Sequence, residues 1–248
     1  MKIALIGYGK MGHIIEKIAI ERGHQIVCII DKDNREEIFG DAFKSADCAI
    51  EFSTPGTVLE NIRDAFAGGV PVVCGTTGWF DSLPDIKAAC ADDSNTFLFA
   101  SNFSIGVNIF MALNRYLGKI MNNFPQYTPA LEEIHHIHKL DHPSGTAVTL
   151  ADELLSVNSN IRGWQETCEN PQKHFNSERN IGKVMKISHT REGEVPGIHT
   201  ITWDSSVDGI SITHNAKSRE GFALGAVIAA EWLANKKGFH TISEVFDF

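Results

Sequence analysis

The segment at 133–146, EIHHIHKLDHPSGT, holds the densest group of chemically active side chains in the sequence. Four of the eleven histidines fall within 135–142, together with Lys139. Imidazole titrates near neutral pH and an ammonium group is a second proton donor, so this combination predicts acid–base catalysis. The Pro-Ser-Gly-Thr end precedes a helical pattern with Ser144 or Thr146 as its N-cap, and N–H groups at such a helix start bind carboxylates.

Two other interpretations of this segment stay open. One is a zinc site formed by the four histidines, His135, His136, His138 and His142. On a strand, His136 and His138 share one face while His135 points to the other, and no cysteine lies near them in the sequence, so a closed structural zinc site is not expected. The other is a surface strand on which the histidines have no common function.

A second motif lies at 7–12, where GYGKMG fits the pattern G-x-G-x-x-G. An apolar run precedes it, a helical pattern follows it, and Asp31 ends the next predicted strand. Gly7 permits a tight turn, Gly9 lets the backbone approach a pyrophosphate, and Gly12 lets the helix lie close to the strand. The motif therefore predicts a dinucleotide site, although glycines can also do no more than close a strand–helix turn.

Asp31 bears on which dinucleotide would bind. Its carboxylate can accept hydrogen bonds from the adenosine ribose hydroxyls and would repel a 2′-phosphate, which favours NADH. Lys32 follows directly and could compensate, unless it is only a solvated surface lysine. NADH and NADPH therefore both remain candidate cofactors.

The elements that must position these motifs follow from apolar periodicity. Up to residue 100, uninterrupted apolar runs alternate with helical patterns, which indicates a parallel sheet covered on both faces. The predicted strands are 2–6, 25–30, 48–52, 70–74 and 96–100, and the predicted helices are 10–22, 57–67 and 84–91. The fold class is therefore α/β, with a Rossmann-type parallel sheet domain.

After Asn102 the pattern changes to that of a smaller α+β domain with a mostly open β-sheet, inserted before a returning C-terminal helix. Helices are predicted at 104–122, 145–157 and 218–235, and strands at 183–190, 198–204 and 208–214. Residues 130–139 are predicted to form a strand that runs into a His-rich loop, and residues 158–180 a long surface loop. Residues 1–103 plus 216–248 would form the dinucleotide-binding domain. Residues 104–215 would form the second domain.

Composition excludes several function classes. The net charge is −9 and the sequence has no run of Lys or Arg, so binding to nucleic acid or to a membrane surface is not expected. No apolar stretch reaches about 18 residues, so no transmembrane helix is expected. The five cysteines are odd in number and widely spaced, which indicates reduced thiols and a cytoplasmic protein.

The histidine-rich segment also resembles a known signature. From Glu133 to Ala147, the pattern E-x-H-H-x-x-K-x-D-x-P-S-G-T-A closely resembles that of the dihydrodipicolinate reductase (4-hydroxy-tetrahydrodipicolinate reductase) family. Other pieces that match in order are FSTP at 52–55, CGTTG at 74–78, SNFSIGVN at 101–108, R-x-G-x-x-x-G-x-H at 191–199, ITH at 212–214 and SR at 218–219. The turn departs from many members, since Ile6 stands in place of a glycine and Lys10 where arginine is common.

This resemblance implies NADH- or NADPH-dependent reduction of 4-hydroxy-tetrahydrodipicolinate or dihydrodipicolinate to tetrahydrodipicolinate, in the diaminopimelate route of lysine biosynthesis. It implies that His135 and Lys139 are catalytic and that no metal takes part. The substrate-binding positions it implies are His136, Ser144, Gly145 and Thr146. The cofactor-binding positions it implies are Gly7, Tyr8, Gly9, Lys10, Met11, Gly12, Asp31, Gly75, Thr76, Thr77, Ala100, Ser101, Asn102 and Phe103. The partner is a small dicarboxylate, and the second domain, 104–215, would bind substrate and assemble a homotetramer.

Three other functions remain candidates on the sequence. Another Rossmann-type reductase, such as an aspartate-semialdehyde or homoserine dehydrogenase, would lack the E-x-H-H-x-x-K segment. A nucleotide-sensing regulator would bind NADH without turnover, and a zinc-binding module would hold metal after purification.

Overall fold

The computed structural model describes residues 1–168, 172–176, 178 and 181–247, and the chain forms two compact units. Unit 1 consists of Met1–Ile105 and Arg219–Phe248, and unit 2 consists of Gly106–Ser218. Unit 1 is therefore discontinuous in sequence, with unit 2 inserted into it. The boundaries predicted from the sequence, after 103 and after 215, fall close to these junctions.

The elements are numbered along the whole chain. The strands are β1 (Lys2–Ile6), β2 (Gln25–Ile30), β3 (Cys48–Glu51), β4 (Val72–Cys74), β5 (Thr96–Phe99), β6 (Thr128–His135), β7 (Ile161–Glu166), β8 (Lys173–Phe175), β9 (Lys183–Arg191), β10 (Ile198–Asp204), β11 (Gly209–Asn215) and β12 (Gly238–Thr241). The α-helices are α1 (Lys10–Glu21), α2 (Asp41–Lys44), α3 (Val58–Ala67), α4 (Leu83–Ala89), α5 (Ile105–Ile120), α6 (Gly145–Val157), α7 (Glu220–Leu233) and α8 (Ile242–Phe246). None of these described helices has both the length and the hydropathy that crossing a membrane requires.

Unit 1 is built on a six-stranded sheet with the order β12-β5-β4-β3-β1-β2, in which every neighbouring pair is parallel. Strand β1 shows why its residues are apolar without alternation. Ile3 and Leu5 belong to one hydrophobic cluster, Ala4 and Ile6 belong to another, and all four are fully buried. Both faces of the sheet are therefore covered, as predicted, while β12 and the short helix α2 were not predicted.

The returning helix α7 completes unit 1. Its small residues Ala223, Ala226 and Ala230 are fully buried in the cluster that contains Ile3 and Leu5. A Cβ atom at Gly225 would lie 1.7 Å from the carbonyl oxygen of Phe103, so only glycine allows this approach.

Unit 2 is built on a mixed six-stranded sheet with the order β11-β10-β6-β9-β7-β8. β6–β9 and β7–β9 are parallel pairs, and the other three pairs are antiparallel. Helices α5 and α6 share a buried apolar cluster with the sheet, which includes Phe110, Leu150 and Trp203. The predicted α+β insertion with an open sheet is confirmed.

The prediction of a long surface loop at 158–180 is wrong, because this stretch contains β7 and β8. Gly163 interrupts the apolar pattern by which β7 could have been predicted, and glycine is needed there because a Cβ atom would lie 2.4 Å from the carbonyl oxygen of His174 on β8. Glu166 also interrupts this pattern, since a charged side chain ends the strand in a fully buried position. Residues 169–171, 177 and 179–180 of the predicted loop lie outside the described residues.

Candidate active site

A cavity of about 360 Å³ lies in unit 1 beside the carboxyl ends of β1 and β2. Ligands bind at this edge in open parallel sheets. Five of its lining residues were singled out from the sequence, namely Gly7, Tyr8, Gly9, Asp31 and Lys32. Arg35, Thr57 and Asn61 line it as well and were missed, because no motif marks them.

The glycine-rich turn has the geometry that a pyrophosphate requires. Gly7 has φ +88°, and a Cβ atom there would lie 2.1 Å from the carbonyl oxygen of Phe52. At Gly12 a Cβ atom would lie 2.5 Å from the carbonyl oxygen of Gly7, whereas at Gly9 it would meet no described atom within 4 Å. Gly7 and Gly12 are thus required by the fold, and Gly9 leaves open space at the N-terminus of α1. These residues fit a dinucleotide.

A second cavity of about 470 Å³ adjoins the first and shares Gly9, Phe52 and Ser53 with it. The sequence-predicted residues that line it are Gly9, Lys10, Met11, Gly75, Thr76 and Thr77. A Cβ atom at Gly75 would lie 2.2 Å from the Phe52 ring, so glycine lets the ring close over this loop. The glycine-rich turn and the loop after β4 therefore line the same cavity.

The third predicted nucleotide segment follows β5. Ala100 donates its backbone N–H to the Cys74 carbonyl oxygen at 3.3 Å, which extends the pairing of β5 with β4. Phe103 is buried, with its ring centroid 5.8 Å from that of Phe52. Ser101 is exposed and Asn102 accepts a hydrogen bond from the backbone of Ser104 at 2.9 Å.

In unit 2, the centre of the candidate site is the buried pair Glu133 and His135. Both side chains lie on the face of β6 that carries the buried Leu131. Glu133 is fully buried and His135 is 7% exposed, and Glu133 Oε2 lies 3.3 Å from His135 Nδ1. This contact lacks hydrogen-bond geometry, so Glu133 acts on His135 through its charge.

Glu133 is surrounded by donors. Its Oε1 accepts the backbone N–H of Ser144 at 3.0 Å and lies 3.2 Å from Arg191 Nη2, while Oε2 lies 3.6 Å from His199 Nε2. Burial alone would raise the pKa of Glu133, but the contacts with His199 and Ser144 and the charge of His135 lower it to about 2. The carboxylate is therefore ionised across the physiological range.

At His135, the effect of burial on the pKa outweighs that of the neighbouring carboxylate. Burial lowers its pKa to about 4, the carboxylate of Glu133 opposes this shift, and His199, Lys139 and Arg191 add to it. The imidazole is therefore neutral at pH 7 in the absence of ligand.

The chain turns at 137–138, shortly after β6 ends, and the charge of Lys139 acts on His135 by lowering its pKa. Its Nζ contacts both carboxylate oxygens of Asp141, at 2.8 and 2.7 Å. Arg191 holds the same loop, donating Nε to the carbonyl oxygen of Lys139 and Nη2 to that of Asp141, at 3.1 and 2.7 Å. The structure thus brings the two predicted catalytic residues into one electrostatic neighbourhood.

Helix α6 begins beside this loop, and Ser144 is its N-cap. Ser144 Oγ accepts the N–H of Ala147 at 3.2 Å and lies 3.1 Å from His199 Nε2, so the hydroxyl is engaged inside the protein. Gly145 and Thr146 form the start of the helix, where backbone N–H groups favour an anion. His136 adds a buried Nδ1 that forms no hydrogen bond with any described group.

The four histidines considered as a zinc site do not converge. His135 contacts Glu133, His138 contacts Glu194 at 3.1 Å, and His142 contacts Glu166 at 2.9 Å, so three of them face three different carboxylates. The burial of Glu133 and His135 also contradicts a surface strand without function. Glu133, Arg191 and His199 had been identified only as motif positions, and the one available signal was the occurrence of charged residues in predicted strands.

The chain is similar to one family over nearly its whole length. The family model of the dihydrodipicolinate reductase N-terminus matches residues 1–103, and that of the C-terminus matches residues 106–246. A curated 4-hydroxy-tetrahydrodipicolinate reductase from Christiangramia forsetii is 45% identical over 245 residues, covering 99% of this chain and 97% of the relative. One from Archaeoglobus fulgidus is 34% identical and covers 100% of both chains. A solved structure of a dipicolinate-bound dihydrodipicolinate reductase from Paenisporosarcina sp. TG-14 has the same fold, with a TM-score of 0.74 at 19% identity over 98% of each chain.

Proposed function

Because the chain belongs to the dihydrodipicolinate reductase family, and reduces 4-hydroxy-tetrahydrodipicolinate in lysine biosynthesis, we propose how its own side chains divide the work of that reaction. Reduction needs a dinucleotide held in place, a dicarboxylate anchored, and a proton supplied as the hydride adds. Unit 1 carries residues for the first task and unit 2 carries residues for the other two.

The cofactor is a nicotinamide dinucleotide, and when bound it supplies the hydride. The N-terminus of α1 and Gly9 would receive its pyrophosphate, and Asp31 would accept hydrogen bonds from the ribose hydroxyls. The carboxylate of Asp31 supports NADH as the preferred form. Lys32 and Arg35 line the same cavity and offer positive charge to a 2′-phosphate, which supports NADPH as an alternative cofactor.

The two carboxylates of the substrate need cationic or N–H-rich partners. Lys139 would hold one of them, exchanging its contact with Asp141 for the substrate, and the backbone N–H groups of Gly145 and Thr146 would hold the other. His136 supplies a further buried nitrogen. Ser144 acts indirectly, because its hydroxyl caps α6 and so fixes where Gly145 and Thr146 lie.

His135 would manage the proton. Burial, with a smaller contribution from positive neighbours, lowers the pKa of His135 without ligand, and the negative charge of a bound dicarboxylate would raise it. His135 would then take up a proton as substrate binds and hold it for transfer at the reduced ring. Glu133 would be a positioning residue, whose negative charge 3.3 Å from Nδ1 stabilises the protonated form of His135.

The contact between Glu133 and His135, next to Lys139 and the start of α6, is the observation that carries this proposal. Pyridine-2,6-dicarboxylate is a stable probe for it. Calorimetric titration at pH 7, repeated in buffers of different ionisation enthalpy, should show uptake of about one proton by the wild-type protein and little by His135→Gln. Binding of the probe without proton uptake would remove His135 from the proton-holding role.

Turnover is tested with substrate generated in situ by a synthase acting on pyruvate and aspartate semialdehyde. The expected result is oxidation of NADH and NADPH only when both precursors are present. A cytoplasmic location is supported by the five cysteines, none of which forms a disulfide. A homotetramer assembled through unit 2 is supported by its exposed edge strand β11, where Ile210 is 42% exposed, and mass photometry of the purified protein would test it.

A further inference from the structure

A second cluster of ligating side chains lies in unit 2, outside the residues used above. One ligating atom each from His142, Glu166 and Cys168 lies within 4.8 Å of the others. His189 joins them, with Nδ1 2.8 Å from Glu166 Oε1, the same oxygen that His142 Nδ1 contacts at 2.9 Å. The imidazole rings of His142 and His189 stack at a centroid distance of 4.4 Å. The Nδ1 atoms of both rings therefore lie beside the same oxygen, Glu166 Oε1.

The cluster is assembled from three separate parts of the chain. His142 lies in the loop before α6, Glu166 and Cys168 lie at and just beyond the end of β7, and His189 lies on β9. Gln172 holds two of these parts together, donating its backbone N–H to Glu166 Oε2 at 3.3 Å and its side-chain amide to the carbonyl oxygen of His142 at 2.6 Å.

Hydrogen bonding accounts for the contact of His142 with Glu166 but not for the contact of His189 with it. Glu166 is fully buried, and among the described residues its ion-pair partners are histidines only. His189 Nδ1 is also buried, and its contact with Glu166 lacks hydrogen-bond geometry, so no described group satisfies it. Three donors, an imidazole nitrogen, a carboxylate and a thiol, lie within 4.8 Å of one another, and a second imidazole nitrogen contacts the same carboxylate. Nitrogen, oxygen and sulfur donors of this kind are a set that borderline transition-metal ions prefer.

The other candidate metal cluster, formed by Glu133, His135 and His199, is a poorer one. Arg191 Nη2 lies 3.2 Å from Glu133 and already supplies the positive charge there. That cluster also lacks a sulfur ligand. A divalent cation would therefore favour the second cluster.

We propose that His142, Glu166 and Cys168, with His189 completing the set, form a binding site for a divalent transition-metal ion of the zinc class. Binding breaks the S–H bond of Cys168, forms a metal–sulfur bond and releases the proton to solvent. Since His142 precedes the N-cap Ser144 by two positions, the bound ion ties the loop that carries Lys139 to the sheet of unit 2. The site is structural, with every ligand supplied by protein.

Reactivity of Cys168 tests this in the wild-type protein. Cys168 is the one cysteine of the five that is not buried, so it reacts first with a thiol-specific disulfide reagent in the folded chain. The protein is prepared without an affinity tag, stripped with a chelator and dialysed. One equivalent of Zn²⁺ should slow this first reaction at least about ten-fold, and excess chelator should restore it, because a metal-bound thiolate is no longer available to attack. An unchanged rate overturns the site.

Cobalt provides the second measurement. One Co²⁺ per chain should bind with the near-ultraviolet sulfur-to-cobalt charge-transfer band of a thiolate ligand, and Cys168→Ser should lose that band. His142→Gln and His189→Gln should each weaken binding by about 10- to 100-fold or more. His138→Gln is the matched control, because His138 and Glu194 form an exposed histidine–glutamate pair, and it should bind as the wild type does.

The proposal is overturned if Co²⁺ binds without the charge-transfer band, if its affinity is unchanged in His142→Gln and His189→Gln, and if binding is lost in His199→Gln. That result would place the ion at the Glu133 cluster. None of these measurements uses reductase turnover. Their outcome is therefore independent of the roles proposed for His135 and Lys139.

Discussion

Glu133 and His189 lie directly opposite one another on the parallel strands β6 and β9. On the other side of β6, Glu133 pairs with His199, and His199 in turn pairs with His214 on β11. Because opposite residues in a sheet point to the same face, these four side chains form one row across four strands. The row therefore extends from His189, a ligand of the proposed metal site, to the carboxylate beside His135.

Glu133→Gln should slow the chemical step. The change keeps the shape of the side chain but removes the charge that opposes the lowered pKa of His135. We expect kcat to fall by about 10- to 100-fold with little change in KM, and the limb of the kcat–pH profile that reports His135 to move to lower pH. Glu132→Gln is the control, because the neighbouring Glu132 is exposed, and it should leave the profile in place. A profile that does not move would show that Glu133 is merely structural.

His135→Gln and Lys139→Met should differ in their effects. His135→Gln removes the proton carrier, so kcat should fall on the order of 100-fold with KM nearly constant. Lys139→Met removes a carboxylate partner as well as a proton donor, so kcat should fall by a similar factor while KM rises. NADH affinity, measured by fluorescence titration, should survive both changes because the nucleotide cavities lie in unit 1. Loss of NADH binding by a folded variant would contradict this division.

Stability should fall as the pH drops below about 6.5. The pKa of His135 is about 4 in the folded protein and 6.5 ordinarily, so the unfolded chain takes up the proton first. The contribution of the neutral imidazole, at most about 3 kcal/mol, is complete above 6.5 and lost by about 4. Thermal unfolding at pH 7 and pH 5 should show a smaller difference in Tm for His135→Gln than for the wild type or His138→Gln. Glu133, with a pKa of about 2, adds its own loss only as the pH falls from 4.5 towards 2.

Two glycines of the nucleotide turn should respond in opposite ways. Gly7→Ala forces a Cβ atom against the Phe52 carbonyl at a positive φ, so it should destabilise unit 1 by about 1–3 kcal/mol or more. Gly9→Ala meets no described atom, so Tm should hardly change while NADH binding weakens, because the new methyl group occupies the approach of the pyrophosphate. Equal NADH affinity in Gly9→Ala and the wild type would exclude this turn as the phosphate site.

Asp31→Ala should shift cofactor choice towards NADPH. The variant loses a ribose hydrogen-bond acceptor and a negative charge that faces the 2′-phosphate, while Lys32 and Arg35 stay at the cavity. The ratio of kcat/KM for NADPH to that for NADH should rise. Lys32→Ala should lower the same ratio, and an unchanged ratio in Asp31→Ala would remove Asp31 from the ribose site.

Local sequence patterns were sufficient to predict the strands, helices and caps that depend on neighbouring residues only. The apolar run of β1, the helical spacing of α1 and the N-cap at Ser144 all lie within a few residues of what they specify. The grouping of Glu133 with His199 and Arg191 depends on strand pairings between distant positions, which a single sequence does not display. For the same reason, the absence of a cysteine near the histidines in sequence was a misleading guide to the surroundings of His142, because β7 brings Cys168 to within 4.8 Å.

The discontinuity of unit 1 dictates an order of events on the ribosome. Synthesis proceeds from the N-terminus and domains generally fold as units, so unit 2, which is continuous, can complete its core while α7 and β12 are still untranslated. Until α7 emerges, the apolar face formed by Ile3, Leu5 and Ile50 is covered by α1 but lacks the part of its cover that α7 supplies. Arg219–Phe248, which is translated after unit 2, therefore covers strands that are translated before unit 2. Premature termination before α7 would leave unit 2 folded beside a five-stranded sheet that lacks β12 and has one apolar face incompletely covered, and exposed apolar surface of this kind is prone to aggregation.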